Sequence, residues 1–177
     1  MENILIIGAG GLASVVLDSI HKEVNFNVLG FCVDNLPIGT SIVKKYKIIS
    51  NTSFDHIGAN KEIHFIIAVG NNKSRELLFN NACEKFTPAT IIDPTSIISS
   101  NTSIGEGSIL LANTIINANT NIGKNCLIGA GSVIDHNCEI NNHSHISIGT
   151  ILGSYSTINA YYTTEIGQRI NSKSILK

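Results

Sequence analysis

Residues 121–152 read NIGKNCLIGAGSVIDHNCEINNHSHISIGTIL, and every sixth residue of this stretch, starting at Ile122, is aliphatic. The row continues in both directions, from Ile92 to Leu176, and only Thr164 interrupts it. Apolar residues recur about every 3.6 positions in a helix and about every second position in a simple strand. A strict period of six indicates short strands that turn corners at fixed intervals, which is typical of a parallel β-helix.

A second register with the same period supports this interpretation. The residue two positions before the aliphatic is small, as at Thr114, Cys126 and Ser132. A small side chain fits inside a tight corner, and the aliphatic side chain fills the core. The two registers together predict a β-helix over residues 89–177, after an N-terminal domain over residues 1–88.

The composition allows a buried core and argues against a nucleic-acid partner. The chain has 177 residues, enough for one large or two small domains, and 43% of them are hydrophobic. The formal net charge is -1, and no run of Lys or Arg interrupts the chain. The sequence therefore lacks the basic patch that nucleic-acid binding requires.

The cysteines and the N-terminus predict a cytoplasmic protein. The four cysteines show no CxxC or Cys/His ligand spacing, and Cys126 and Cys138 occupy the small slot of the hexad, where a thiol packs as a small apolar group. The first residues lack the basic start and long apolar stretch of a signal peptide. No apolar stretch approaches the roughly 20 residues that span a bilayer. We therefore expect neither a bound metal nor a membrane span.

The first 88 residues alternate between strand and helix patterns. Such alternation predicts an α/β fold with a parallel sheet. The region is about half the size of a doubly wound nucleotide-binding fold. The predicted strands are 3–7, 28–33, 47–50 and 62–69, and the predicted helices lie around residues 15–20 and at 74–86.

A glycine-rich turn follows the first predicted strand. Residues 8–13, Gly-Ala-Gly-Gly-Leu-Ala, match the pattern G-x-G-x-x-A between a strand and a helix. Gly8 permits a tight turn, Gly10 lets the backbone approach a phosphate, and Ala13 allows the helix to pack closely on the strand. The N-terminus of the following helix then suits an anion. The alternative is a glycine that serves only the sharp turn.

Two further loops end at the same edge of the predicted sheet. Asp34 follows the second strand, near the place where an acidic residue contacts a ribose hydroxyl in dinucleotide folds, and residues 70–72, Gly-Asn-Asn, follow the last strand. Ligands of open α/β sheets bind outside the carboxyl ends of the strands. A nucleotide-sugar fits this half-sized domain better than NAD, and no Tyr–Lys pair supports an NAD-dependent oxidoreductase.

Three histidines of the predicted β-helix lie outside the core positions: His136, His143 and His145. Histidine suits proton transfer near neutral pH, because its ordinary pKa is about 6.5. The spacing leaves open that they are merely solvated surface side chains. No Ser–His–Asp nucleophile constellation is evident. Direct transfer with a general base is therefore favoured over a covalent acyl-enzyme.

The order of these motifs resembles a known family. It comprises the glycine turn, Gly-Phe-x-x-Asp at 30–34, Val-Gly-Asn-Asn at 69–72, the hexads, and Ile-Asp-His-Asn-Cys at 134–138. Nearly the whole chain resembles the bacterial sugar O-acyltransferases of the sialic acid O-acetyltransferase type, which include N-acetyltransferases of UDP- or dTDP-linked 4-amino sugars. The resemblance implies a Rossmann-like α/β half domain for a nucleotide-sugar, followed by a left-handed parallel β-helix of hexapeptide repeats. It also implies a homotrimer and a role in surface polysaccharide precursor synthesis.

The resemblance implies roles for two histidines. His136 would be the general base that takes a proton from the sugar amine, or hydroxyl, as this group attacks the thioester of acetyl-CoA. His145 matches a family position close to the acetyl carbonyl, where it would polarise the carbonyl and stabilise the developing oxyanion. Acetyl-CoA would be the acyl donor, and no metal is implied.

The resemblance also implies the binding residues. Acetyl-CoA would lie in the groove between adjacent β-helices, with Gly153, Ser154, Ile166 and His145 as candidates for its wall. The nucleotide-sugar would lie against the loops of the N-terminal domain. Its candidate contacts are Gly10, Gly11, Leu12, Asp34, Asn35, Gly70 and Asn71.

Three departures from the family pattern leave alternatives open. Leu12 stands where the amino-sugar enzymes often have His, and Asn137 stands where they often have Glu or Asp; Asp135 or Glu139 would then compensate for the missing carboxylate. The chain ends at Lys177, before a further segment that relatives usually place beside CoA. We expect N-acetylation of a UDP- or dTDP-4-amino-4,6-dideoxy sugar. The alternatives are a sialic acid or sugar O-acetyltransferase and a catalytically weak trimeric sugar-nucleotide-binding protein.

Overall fold

A computed structural model describes residues 1–23, 25–43 and 45–177 of the chain. These residues form two compact units, Met1–Ala89 and Thr90–Lys177. The first unit is an α/β sheet with two helices, and the second is built from short parallel strands alone.

The first unit contains one mixed sheet. Its strands lie in the order β3-β4-β2-β1-β5-β6. All neighbours pair in parallel except β3, which runs antiparallel to β4 and was not predicted from the sequence. The elements are β1 (Glu2–Ile7), α1 (Gly11–Lys22), β2 (Phe26–Cys32), β3 (Ser41–Val43), β4 (Tyr46–Ser50), β5 (His64–Ile67), α2 (Asn72–Lys85) and β6 (Thr87–Pro88).

The central strand of this sheet is buried on both faces. Ile4, Leu5, Ile6 and Ile7 are consecutive and fully buried. A continuous aliphatic run is what a central parallel strand requires, because both of its faces are covered. The carboxyl end of β1 is thereby held rigidly at the point where the glycine turn begins.

The second unit is a β-helix of three parallel sheets. Strands that are three hexads apart pair in register, so that Ile109 lies beside Leu127 and one coil takes 18 residues. The first sheet contains β7, β10, β13 and β16, the second β8, β11, β14, β17 and β19, and the third β9, β12, β15, β18 and β20. These strands are Ile91–Ile92, Ile97–Ile98, Ser103–Ile104, Ile109–Leu110, Ile115–Ile116, Asn121–Ile122, Leu127–Ile128, Val133–Ile134, Glu139–Ile140, His145–Ile146, Ile151–Leu152, Thr157–Ile158, Arg169–Ile170 and Ile175–Leu176, from β7 to β20 in order.

The hexad registers predicted the interior of this β-helix. The aliphatic row forms one core cluster, and the small residues Cys126 and Cys138 are buried with it. Hydroxyls of the small register are also buried and bond the next coil, as Ser132 Oγ does by donating to the Ser147 carbonyl at 3.0 Å. The interior therefore contains aliphatic layers, and the buried hydroxyls at its corners are hydrogen-bonded to the neighbouring coil.

The corners between strands explain a third register. Every sixth residue turns through the left-handed backbone region, for example Asn119, Asn137 and Gly131. Apart from glycine, asparagine is among the residues that adopt this region most readily. The frequent Asn and Gly at these positions thus have a conformational cause.

Thr164, the one interruption of the aliphatic row, does not end the β-helix. Tyr162 occupies the preceding small slot and packs against the core cluster. Thr164 is buried. Its hydroxyl accepts a hydrogen bond from the Ser147 N–H at 2.7 Å and forms another with the Thr150 hydroxyl at 2.8 Å. A large and a small side chain have exchanged places within one hexad, and the coil continues into β19 and β20.

Candidate functional site

A cavity of about 360 Å³ lies at the carboxyl ends of β1, β2, β4 and β5. Asp34 and Asn35, two of the predicted nucleotide-sugar contacts, line it together with Gly8, Thr52 and Val69. The other predicted contacts, in the segments 10–12 and 70–71, directly continue the chain from lining residues Ala9 and Val69. This is the edge at which open α/β sheets bind ligands.

The glycines around this edge serve two different purposes. Gly8 has a φ of +114°, and a Cβ there would lie 2.7 Å from the Ala68 carbonyl oxygen, so the fold itself requires glycine. At Gly10, Gly11 and Gly70, an added Cβ would meet nothing within 4 Å, and none of the three has a left-handed φ. The protein's own packing does not require glycine at these three positions, which leaves room for an incoming ligand.

The two helices differ at their N-termini. At α1 the N-cap is Gly10, which makes no side-chain cap, and the first turn carries no acidic residue. At α2 the Asn71 side chain accepts the Ser74 N–H at 3.0 Å. No side chain of the N-cap residue therefore occupies the start of α1, and such a helix N-terminus suits an anion such as a phosphate.

Asp34 is fixed by a loop that the sequence analysis missed. One carboxylate oxygen accepts the Thr52 N–H at 2.8 Å, and the other accepts the Thr52 hydroxyl at 2.6 Å. The Asn81 side chain in turn donates to the Thr52 carbonyl at 2.7 Å. The signal was the polar run Asn-Thr-Ser at 51–53, directly after strand β4. Each Asp34 oxygen keeps a lone pair for a hydroxyl of the ligand.

Arg75 supports the loop at the end of β5 and was also missed. This guanidinium on α2 is buried. It donates to the carbonyls of Val69 at 3.2 Å and Gly70 at 2.9 Å, and to the Asn72 side chain at 2.8 Å. Arg75 thus fixes the segment that carries the predicted contacts Gly70 and Asn71.

Cys32 lines the same cavity but is not a nucleophile at neutral pH. Burial, and secondly the nearby charge of Asp34, raise the pKa of its thiol to about 12. A protonated, buried thiol is unreactive. Its role is therefore to close the apolar side of the cavity.

In the β-helix, His136 lies at the corner between β14 and β15 and is half-buried. Its Nδ1 is 2.9 Å from Asn137 Oδ1. Because an amide oxygen only accepts, a neutral imidazole in this arrangement donates from Nδ1 and has Nε2 as its acceptor nitrogen. The Tyr155 ring meets the imidazole edge to face, with centroids 5.3 Å apart and planes at 87°. The arrangement suits a general base that accepts a proton at Nε2.

Asp135 supplies the negative charge beside this histidine. Its Oδ1 accepts the backbone N–H of His136 at 2.8 Å and the Asn117 side chain at 3.1 Å. The backbone hydrogen bond from His136 is the largest cause that lowers the pKa of this carboxyl. Glu139 instead accepts from the Asn121 side chain at 3.1 Å on the third sheet. Of the two carboxylates considered for compensation, Asp135 is the one that contacts His136.

His145 does not share an edge with His136. It lies on β16 of the first sheet, at the position preceding core Ile146, so its side chain faces away from the core. His136 lies where the second and third sheets meet, which is the edge opposite the first sheet of a three-sided coil. One β-helix therefore holds the two histidines on opposite sides of its core.

The candidate contacts for acetyl-CoA differ in exposure. Ile166 is 79% exposed. Ser154 is half-buried and donates to Ser172 Oγ at 3.2 Å. At Gly153, a Cβ would lie 2.5 Å from the Ser172 nitrogen, so the stacking of the coils already requires glycine there.

Within residues 1–23, 25–43 and 45–177, no three His, Cys, Asp or Glu side chains group closely enough to hold a metal ion. Across the same residues, neither helix has the length and apolar character needed to cross a membrane.

The N-terminal unit matches a known domain family. Residues 3–82 match the family described as the PglD N-terminal domain. The matched range contains the glycine turn, Asp34 and Gly70. The resemblance seen in the sequence is confirmed for this unit. A comparison with curated proteins gave no match.

Solved structures share the fold of the whole chain. The acetyltransferase domain of PglB from Neisseria gonorrhoeae, in complex with acetyl coenzyme A, has a TM-score of 0.73 at 22% identity, over 98% of this chain and 87% of that one. PerB from Caulobacter crescentus, in complex with CoA and GDP-perosamine, has a TM-score of 0.65 at 23% identity, over 99% and 86%. WeeI from Acinetobacter baumannii has a TM-score of 0.70 at 21% identity, over 100% and 92%. The predicted fold class, a Rossmann-like α/β unit followed by a left-handed parallel β-helix, is confirmed.

Proposed function

We propose that this protein is an acetyltransferase that moves the acetyl group of acetyl-CoA to a nucleotide-linked sugar. The observation that carries the proposal is the half-buried His136, whose Nδ1 lies 2.9 Å from Asn137 Oδ1 at a corner of the β-helix, an arrangement that suits a general base. The solved neighbours with acetyl coenzyme A, and with CoA and GDP-perosamine, support the same donor and acceptor classes.

The nucleotide-sugar binds to the N-terminal unit in this proposal. Its diphosphate lies at the uncapped start of α1, against the segment 10–12, where a Cβ added at Gly10 or Gly11 would meet nothing within 4 Å. Asp34 and Asn35 contact the nucleoside from the cavity wall. The segment 70–71, fixed by Arg75, closes the opposite side.

The transfer proceeds in one displacement. His136 Nε2 takes a proton from the sugar amine as its nitrogen attacks the thioester carbon, and His145 stabilises the developing oxyanion. The carbon–sulfur bond breaks, the acetyl group stays on nitrogen, and the CoA thiolate leaves and takes up the proton. Asp135, whose carboxylate accepts the His136 backbone N–H, places a negative charge next to the residue that receives the proton in this step.

We propose a homotrimer, because the outer faces of two sheets differ in polarity. The second sheet presents neighbouring aliphatic residues, Ile97, Ile115, Val133 and Ile151, of which Ile97 is 62% exposed. The third sheet presents the polar residues Ser103, Asn121, Glu139 and Thr157 at the matching positions. An aliphatic sheet face in water favours packing against another copy.

Association also resolves the separation of the two histidines. Within one chain, His136 and His145 lie on opposite sides of the core. When the second sheet of one copy packs against another copy, His136 at its edge lies beside that copy, which supplies His145. Acetyl-CoA then lies between two β-helices, with Ser154 and Ile166 at its wall.

Within this function we propose N-acetylation of a 4-amino-4,6-dideoxy sugar carried on UDP or dTDP. PerB was solved with GDP-perosamine, so a GDP-linked amino sugar belongs among the acceptors to be tested. A sugar or sialic acid O-acetyltransferase is the second candidate, because a base at His136 activates a hydroxyl by the same proton transfer.

The test is thiol release from acetyl-CoA with UDP-, dTDP- and GDP-linked 4-amino sugars, free sialic acid and CMP-sialic acid. We expect turnover with one amino sugar, and a loss of about 100-fold in kcat in His136→Ala. His143→Ala, a second histidine of the same β-helix, is the matched control and should keep the rate. If His136→Ala stays within about threefold of the parent, under ~0.7 kcal/mol of transition-state stabilisation, His136 is not the base. Turnover with sialic acid alone would select the O-acetyltransferase.

A further inference from the structure

Tyr155 adopts a backbone conformation that does not suit its side chain. It lies in the left-handed region with φ 59°, at the corner one coil after Asn137. The same column carries Asn119 and Asn137, residues that accept this region readily. For a bulky aromatic residue the conformation is an outlier, and such outliers persist where the surroundings or a function maintain them.

The hydrophobic core does not account for the tyrosine. Its side chain is 55% exposed and does not belong to the core cluster of the β-helix. The contact that the ring makes is with His136, edge to face, with centroids 5.3 Å apart. The Tyr155 N–H also donates to the His136 carbonyl at 3.2 Å, so ring and backbone both contact the same residue.

We propose that Tyr155 is a positioning residue that holds the imidazole of His136 in the orientation needed for proton transfer. The proposal rests on the function given above. Asn137 fixes one edge of the imidazole at Nδ1, but a single hydrogen bond still allows the ring to swing. The Tyr155 ring lies against that imidazole and blocks rotation, so that Nε2 keeps one direction. An error of about 1 Å in such a group costs up to roughly 100-fold in rate.

The chain contains a matched control at another corner. Tyr161 also has a left-handed φ, of 64°, and also contacts a histidine, stacking on His143 with centroids 5.4 Å apart. The corner of Tyr161 lies between the third and first sheets, whereas that of Tyr155 lies between the second and third. Both tyrosines therefore have a left-handed backbone and a histidine beside the ring. Only the histidine beside Tyr155 is the proposed base.

The experiment compares Tyr155→Asn, Tyr155→Phe and Tyr161→Asn by thermal unfolding and steady-state kinetics. Asparagine suits the left-handed corner, so both Asn variants should keep or raise Tm. Tyr155→Asn should lower kcat about tenfold with both KM values within about twofold. Tyr155→Phe should keep the kcat of the parent protein, because the ring and not the hydroxyl contacts the imidazole. Tyr161→Asn should also leave kcat unchanged.

The results that would contradict the positioning role differ from the result that would contradict the proposed acetyltransferase function. An unchanged kcat in Tyr155→Asn, or an equal loss in Tyr161→Asn, would overturn the positioning role. A higher KM for acetyl-CoA at constant kcat would overturn it too, because the tyrosine would then contact substrate. Absence of turnover in the parent protein would overturn the function instead. The His136 NMR signals test the contact without turnover: they should shift in Tyr155→Asn and stay in place in Tyr155→Phe, and signals unmoved in both variants would refute it.

Discussion

Two sets of glycines, one in each unit of this protein, differ in what an added side chain would meet. In the β-helix, a Cβ at Gly105 or Gly129 would lie 2.5 Å from the backbone of the next coil. In the α/β unit, a Cβ at Gly10, Gly11 or Gly70 would meet nothing within 4 Å. Gly105 and Gly129 are needed for the coils to stack, whereas Gly10, Gly11 and Gly70 leave backbone open where no part of the protein fills the space.

This contrast bears on how a glycine in a sequence motif is interpreted. The residue type alone does not distinguish a packing requirement from a binding surface, and both kinds occur within one turn here, at Gly8 and Gly10. The distinction comes from φ and from the atoms that a Cβ would contact. Open space at an ordinary φ shows that neither packing nor backbone conformation requires the glycine.

The largest effect is expected from Gly129→Ala in the β-helix. The new Cβ would lie 2.5 Å from the Ile148 nitrogen, so adjacent coils must separate, at a cost of about 3 kcal/mol. Gly131→Ala is the matched control: its φ is +68° with open space around it, and it should cost only about 1 kcal/mol. Chemical denaturation monitored on the β-helix transition measures both. Equal losses would show that conformation rather than stacking determines the requirement.

A smaller loss is expected from Arg75→Met in the α/β unit. The variant keeps the apolar stem but leaves the Val69 and Gly70 carbonyls without this donor, which costs roughly 2 kcal/mol. Nucleotide-sugar affinity should fall as well, because the segment 70–71 loses its support. Lys73→Met, at an exposed position of the same helix, is the control for both readouts. Unchanged affinity in a destabilised Arg75→Met variant would exclude this segment from the binding site.

Gly10→Ala should separate binding from stability. Its φ of -84° suits alanine, so Tm should change little, but the methyl group should weaken nucleotide-sugar binding about tenfold by occupying the phosphate approach. Gly8→Ala should instead lower Tm, because Gly8 has a φ of +114° and the new Cβ would contact Ala68. Isothermal titration and thermal unfolding test the pair. Full affinity in Gly10→Ala would mean that the turn is structural only.

The smallest effect concerns acid stability of the β-helix. The pKa of Asp135 is lowered chiefly by the His136 N–H, so its contribution to stability is present above the ordinary pKa of about 3.9. That contribution is lost as pH falls through the folded-state value. In Asp135→Asn, the fall in Tm between pH 7 and pH 3 should be slightly smaller than in the parent. Asp55→Asn, whose carboxyl has a lowered pKa in the other unit, should leave the β-helix transition unchanged.

The sequence predicted the elements whose pattern repeats. The hexad row predicted the residues of the core cluster. Because three hexads make one coil of the structure, Tyr155 lies at the same corner as Asn137, one coil further along. The strand at residues 3–7 was predicted because it is a short apolar run that ends in a glycine turn, and its central place in the sheet became known only from the structure. Regular patterns of this kind are visible because each repeat gives the same information.

The features that escaped prediction depend on single tertiary contacts. The Thr52 loop has no repeating pattern, and its link to Asp34 joins residues 18 positions apart. Arg75 looked like an ordinary charged residue of a helix until its burial was known. The exchange between Tyr162 and Thr164 resembled a break in the repeat. A pattern that follows one hexad position does not show that a large side chain at the neighbouring slot makes up for a small one.

The central claim is that transfer takes place at a site built from two copies of the chain, since one β-helix separates His136 from His145. The direct test mixes His136→Ala with His145→Ala under conditions that exchange subunits, with differently tagged chains to verify mixed trimers. Each variant alone should be inactive. Random mixing should restore about one quarter of the parent activity, because about one site in four then pairs two intact histidines across an interface. Verified mixed trimers without recovered activity would contradict the claim and place both histidines in sites of a single chain.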